Sequence, residues 1–172
     1  MSQGHNPSGP NTGAEGFGLK EQDITYQVGK ELAALLRADE RFEVRLSRNT
    51  PEERLGTSNA TSLAARVRAA NAWPADYFVS IHANANTDPA INGTEVYVYR
   101  KYTQSYYLAQ HILMPLLILW EPKIMAFGQT RRCMCSEGTN MAGGSGGTGL
   151  SGPMQGMQRN LRPCSGIRKR YL

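Results

Sequence analysis

The run Tyr77-Phe-Val-Ser-Ile81 limits what this chain can fold into more than any other segment does. Four of its five residues are apolar, so neither face of the strand they form can be left to water. Bounded by turn signals, the run reads as a central strand with both faces covered. Its neighbours supply the cover. Ile24 to Arg37 is expected to be an amphipathic helix, with Ile24, Val28, Leu32, Leu35 and Leu36 at helical spacing and Lys30 and Glu31 off the stripe. Ser62 to Ala72 reads as a second helix, with Leu63, Val67 and Ala70 on one face, Arg66 and Arg68 pointing away, and Pro74 as its stop. Phe42-Glu-Val-Arg-Leu46 and Thr94-Glu-Val-Tyr-Val-Tyr99 alternate as half-buried strands, Ile91-Asn-Gly93 is a turn, and Ser105 to Leu117 resumes helical spacing. Met1 to Gly18 holds too many turn formers for regular structure. Alternating helices and strands predict an α/β fold: a single domain with a largely parallel twisted sheet flanked by helices. The length of 172 residues suits one domain.

Charge divides the chain in two. Residues 1–120 carry 11 Lys and Arg against 12 Asp and Glu, whereas residues 121–172 carry 8 against 2. The net charge of +5 therefore belongs to the tail, which also holds Cys133, Cys135, Cys164 and 10 of the 18 glycines. A basic protein invites a nucleic-acid partner, but the tail lacks interleaved aromatic residues and any recognisable motif, so none is expected. Cys133 and Cys135 are separated by one residue, not the two usual in zinc and redox motifs, and no metal site is read there. The N-terminal residues are too polar for a signal peptide, and no apolar run reaches the roughly 20 residues of a membrane span.

Three side chains are candidate ligands. His5 lies in the loop Gly4-His-Asn-Pro-Ser-Gly9, Glu21 stands just before the first helix, and His82 directly follows the buried strand. Loops at the carboxyl ends of strands in an open α/β sheet are where ligands bind. Two imidazoles and a carboxylate are the ligand set of many catalytic zinc sites. Each also has a plain structural reading: a solvated loop histidine, a helix-start carboxylate favoured by the macrodipole, and a hydrogen-bonded histidine at a strand end. His111, on a predicted helix without a partner motif, is read as structural.

The words around these residues carry a resemblance. Gly4-His5, Gly13-Ala-Glu-Gly16 and Gly18-Leu-Lys-Glu21 resemble the opening of the amidase-3 family of N-acetylmuramoyl-L-alanine amidases. So do Arg66-Val-Arg-Ala-Ala-Asn71, Ala75-Asp-Tyr-Phe-Val-Ser-Ile-His-Ala-Asn84 and Gly93-Thr-Glu-Val-Tyr-Val-Tyr99, in the expected order. The resemblance covers residues 3 to about 117. It implies a zinc ion (Zn2+) held by His5, Glu21 and His82, which activates the water that cleaves the amide between N-acetylmuramic acid and L-alanine. It also implies peptidoglycan as the partner, no nucleic acid or membrane, a monomer, and a place outside the cytoplasm or in the cell wall.

The same family uses a second glutamate, on a late strand, for proton transfer, and this chain shows none. Ala142 to Gly149 is mostly glycine where a buried strand is expected, and glycine has no side chain to pack there. Shifted by one base, the codons of Ala142 to Gly149 are compatible with Pro-Ala-Val-Leu-Val-Glu-Leu-Gly. Those of Trp120 to Gly138, shifted by two, are compatible with family sequence as well. From Leu150 to Leu172 the given frame again resembles the family's ending. Residues 118–149 are therefore expected to be translated out of frame, irregular or poorly packed, with the folded core ending near 117; a genuine Gly-rich insertion is the alternative. No catalytic residue is assigned. Impaired hydrolysis is expected, the alternative being a non-catalytic zinc or peptidoglycan-binding remnant.

Overall fold

A computed structural model of the chain describes residues 1–85, 94–120, 125–129 and 148–153. Its elements are β1 (Ser2–Gln3), β2 (Glu15–Gly16), β3 (Leu19–Lys20), α1 (Glu21–Arg37), α2 (Asn59–Ala72), β4 (Val79–Asn84), β5 (Thr94–Val98), α3 (Gln104–Trp120), β6 (Met125–Gln129) and β7 (Thr148–Pro153). Five strands form one sheet in the order β1-β4-β7-β5-β6, while β2 and β3 pair as a small hairpin. Three of the four contacts in the main sheet are parallel, and β5 runs antiparallel to β7. The architecture is the expected α/β sheet. Val96 and Val98 of β5 are buried with Ala109 and Leu113 of α3, and Phe78 is buried with Val67 of α2. Among the described residues no helix is long and apolar enough to cross a membrane.

Four local expectations are corrected. First, the region expected to be irregular, Met1 to Gly18, contains β1, which pairs parallel with β4 through Ser2↔Ser80 and Gln3↔Ile81. Its buried side chains are polar, so no apolar pattern marks them. The Gln3 Oε1 accepts from the backbone N–H of Arg48 at 3.1 Å, and its Nε2 donates to the Arg48 carbonyl at 3.1 Å.

Second, α1 begins at Glu21 and buries Glu21, Gln22, Thr25, Gly29 and Ala33, whereas Val28 and Leu35 are exposed. The reason is close approach: a Cβ on Gly29 would stand 2.6 Å from Gln3 Cγ, so small and polar residues line the contact. Third, Phe42 to Leu46 forms no strand. Its backbone bonds to the chain start are Met1 N to the Arg45 carbonyl and Ser47 N to the Met1 carbonyl, while Gln3 N donates to the Ser47 hydroxyl and not to a ladder carbonyl. Fourth, Arg68 is exposed as expected but Arg66 is buried, for a reason given with the site.

The ordered chain does not end at Leu117. Helix α3 runs to Trp120 with Pro115 inside it, β6 pairs with β5, and β7 lies between β4 and β5 in the sheet centre. Ladder bonds use only backbone groups, so a segment poor in apolar side chains can still pair on both edges. The expected irregularity is thus not met at residues 125–129 and 148–149, and the central strand lies mostly downstream of Ala142 to Gly149. The turn at Ile91 to Gly93, the three cysteines, Glu137 and the rest of residues 121–124 and 130–147 lie outside the described residues.

Candidate metal centre

The three candidate ligands come from three elements and meet at one point. His82 is within β4, not after it, because the ladder to β7 continues through His82↔Ser151 to Asn84↔Pro153. Glu21 is the first residue of α1. His5 follows β1, where Gly4 N extends the pairing by donating to the Ile81 carbonyl at 2.9 Å. Glu21 Oε1 lies 3.1 Å from His5 Nε2 and 3.0 Å from His82 Nδ1, and the two ring nitrogens are 3.2 Å apart. Exposure falls from 37% for the His82 side chain to 19% for His5 and 6% for Glu21, so the cluster opens to solvent on the His82 side.

Protons alone leave this triangle unsatisfied. If both ring nitrogens donate to Glu21, their N–H groups face each other. If one does not, its lone pair faces the carboxylate. One of the three contacts always joins like groups, whereas a cation takes all three lone pairs at once. A tetrahedral ion with bonds of about 2.0–2.1 Å has ligand edges of about 3.3 Å, close to the separations here. The donor set and its spacing fit a zinc ion.

Glu21 is held as an anion. Burial pushes its carboxyl up, but hydrogen bonds from His5 and His82 and from the Ala14 N–H outweigh that and hold it below the ordinary carboxylate range. Oε2 accepts from Ala14 N at 3.0 Å, and Oε1 also accepts from Ala83 N at 3.0 Å.

Three residues that build the site were not read from the sequence. A Cβ on Gly4 would lie 2.7 Å from His82 Cε1 and 2.7 Å from the Ile81 carbonyl oxygen. A Cβ on Gly13 would lie 2.6 Å from Glu21 Cβ and 2.9 Å from His5 Cδ2. Only glycine lets these backbones approach the ligands so closely. The third is Arg66, whose Nη1 donates to the Gln3 carbonyl at 2.5 Å and whose Nη2 donates to the His5 carbonyl at 2.6 Å. His5 has a φ of 67°, the left-handed region that a β-carbon disfavours. The loop is further pinned by the buried Asn6, whose side chain donates to the Pro10 and Leu55 carbonyls and accepts from Leu55 N. An arginine in an otherwise alanine-rich helix turn was the available signal. His111 stands apart from this centre, exposed on α3 with its Nδ1 2.8 Å from the Tyr107 carbonyl one turn earlier.

Comparison with known proteins matches residues 1–117 to a family model described as N-acetylmuramoyl-L-alanine amidase (Amidase_3). The chain belongs to the amidase-3 family. It is 39% identical over 100 residues to the N-acetylmuramoyl-L-alanine amidase CwlM of Bacillus licheniformis, a match covering 58% of this chain and 35% of that protein. It is 34% identical over 105 residues to the endolysin of Bacillus phage SPP1, covering 61% and 35%. The amidase-3 chain thus spans about a third of the length of these relatives. Among solved structures, AmiC2 of Nostoc punctiforme aligns with a TM-score of 0.68 at 28% identity, covering 87% of this chain and 74% of that one. The catalytic domain of CwlV from Bacillus (Paenibacillus) polymyxa var. colistinus aligns at 0.71 with 24% identity, over 87% and 76%, a likeness of fold.

Proposed function

We propose that this amidase-3 domain hydrolyses the amide between N-acetylmuramic acid and L-alanine of peptidoglycan, with zinc held by His5 Nε2, Glu21 Oε1 and His82 Nδ1. The convergence of those three atoms carries the reading. Zinc in such a site supplies a Lewis acid that activates water and polarises a carbonyl. The chain's own residues do the rest. Glu21, fixed by the Ala14 and Ala83 amides, contributes the anionic ligand, and the more exposed His82 side faces arriving substrate.

What the described residues beside the cluster do not offer is an evident acid for the leaving amine. Glu21 is committed to the cluster, and the strand beside His82, Thr148-Gly-Leu-Ser-Gly-Pro153, contains no carboxylate. The reading therefore includes slowed turnover. It also keeps the out-of-frame account of much of 118–149, which the end of the family match at residue 117 supports. Peptidoglycan is the proposed partner, met by a monomer outside the cytoplasm.

The test is metal content and hydrolysis together. His82→Ala should abolish stoichiometric zinc in a folded protein and end release of L-alanine-terminated peptides from cell walls. Unchanged zinc in that variant would remove the site. Zinc binding and wall binding without any hydrolysis would favour the non-catalytic remnant.

A further inference from the structure

Glu95 of β5 stands opposite Ser151 of β7, which stands opposite His82 of β4. His82 and Glu95 therefore lie in one row on one face of the sheet, two strand spacings or about 10 Å apart. The Glu95 carboxylate is oriented. Its Oε2 accepts from Asn84 Nδ2 at 2.8 Å and from the Tyr97 hydroxyl at 2.7 Å. Asn84 is two residues beyond His82 on β4, so Glu95 reaches across the β7 position towards the metal-centre strand. Both partners are neutral donors. Among the described residues no cation pairs with Glu95 and Oε1 accepts no hydrogen bond.

We propose that Glu95 anchors the free amino group of the diamino acid at the third position of the stem peptide, a proposal that rests on the muramoyl-amide reading above. Of the groups a muramoyl peptide carries, only an ammonium complements a positioned carboxylate whose charge no described residue neutralises. Hydroxyls and amides bring no charge, and the peptide's own carboxylates are repelled. The reach also agrees. An extended peptide advances about 3.3–3.4 Å per residue, so a stem peptide whose first amide lies at His5, Glu21 and His82 spans the two strand spacings to the β5 backbone within about three residues. The residue thereby favours wall peptides with a free third-position amine over those in which it is acylated by a cross-link.

The test uses two soluble muramoyl-tripeptides, one ending in L-lysine and one in Nζ-acetyl-lysine, with Kd from calorimetry and kcat and KM from amine release. For the native chain, acetylation should raise Kd and KM about tenfold, the scale of one charge-assisted hydrogen bond, with kcat unchanged. Glu95→Gln should impose the same rise on the lysine peptide and add nothing for the acetylated one. Tyr97→Phe, which keeps the charge and loses one tether, should show a smaller rise in the same direction and serves if Glu95→Gln does not fold. Equal weakening of both peptides by Glu95→Gln would overturn the anchor, and so would a fall in kcat at unchanged KM, which would make Glu95 a proton-transfer group. Selective binding without hydrolysis would sink the amidase reading and leave the anchor standing. Hydrolysis with no selectivity would do the reverse.

Discussion

Arg66 of α2 holds the backbone carbonyl of His5 at 2.6 Å, and so ties a buried guanidinium to a candidate metal ligand whose backbone lies in the left-handed region. The same group also reaches the Gln3 carbonyl and the hydroxyls of Ser2 and Ser47. One side chain thereby organises the end of β1, the ligand loop and the segment after α1.

Removing that side chain should cost folding stability as well as metal affinity. Arg66→Ala leaves the buried Gln3 carbonyl and the part-buried His5 carbonyl without this donor, and an unsatisfied buried group costs about 1–3 kcal/mol. A loss of about 2–5 kcal/mol is expected, read as a lower urea midpoint at unchanged slope. Arg66→Lys should recover only part, because an ammonium lacks the planar fork that serves several acceptors. A shift below about 1 kcal/mol would mean that the carbonyls find other donors.

The glycines predict a contrast within one loop. Gly13→Ala puts a methyl 2.6 Å from Glu21 Cβ, whereas the same change at Gly16 meets nothing within 4 Å. Overpacking costs about 1–3 kcal/mol, and here it pushes on two ligands, so zinc affinity of Gly13→Ala should fall at least about tenfold. Gly16→Ala should bind zinc as the native chain does. Equal zinc affinity in the two variants would contradict the close approach.

The Tyr97 hydroxyl titrates above its ordinary value of 10.0, because its hydrogen bond to Glu95, then burial and the Glu95 charge, favour the neutral phenol. The sign follows from linkage: a group whose folded pKa is raised contributes stability that is complete below the unfolded pKa and lost as pH rises through the folded one. Tyrosinate absorbance, taken as the difference from Tyr97→Phe, should show this late titration. Glu95→Gln should bring it back towards 10. A Tyr97 that ionises normally in the native chain would dissolve the Glu95 pair.

Turnover should respond to the reading phase of the gene. General acid–base catalysis is typically worth about 10²–10⁴-fold. Restoring the phase of codons 118–149, so that a glutamate returns to the late strand, should raise muramoyl-amide hydrolysis by that order and raise stability too. If the chain as it stands already digests peptidoglycan at a rate the repair leaves unchanged, another carboxylate, Glu95 or Glu137, carries the proton.

Local pattern determined a good deal by itself. The apolar run ending at Ile81 announced a strand, which the fold places at Val79–Asn84 with Tyr77 exposed ahead of it, alternating periods announced helices around a sheet, and the words holding His5, Glu21 and His82 named the three residues that the fold brings together. These features are legible because they depend on neighbours in the chain. Tertiary structure alone decided the burial of Ser2, Gln3, Arg48 and Arg66, whose partners lie far away in sequence. It also decided that α1 turns Gly29 and Ala33 inward and leaves Leu35 in water, and that Glu95 leans towards Asn84. Hydropathy periodicity reports apolar surface seeking cover. A polar side chain buried on distant carbonyls, or a glycine that admits another backbone, leaves no periodic trace until the chain has folded.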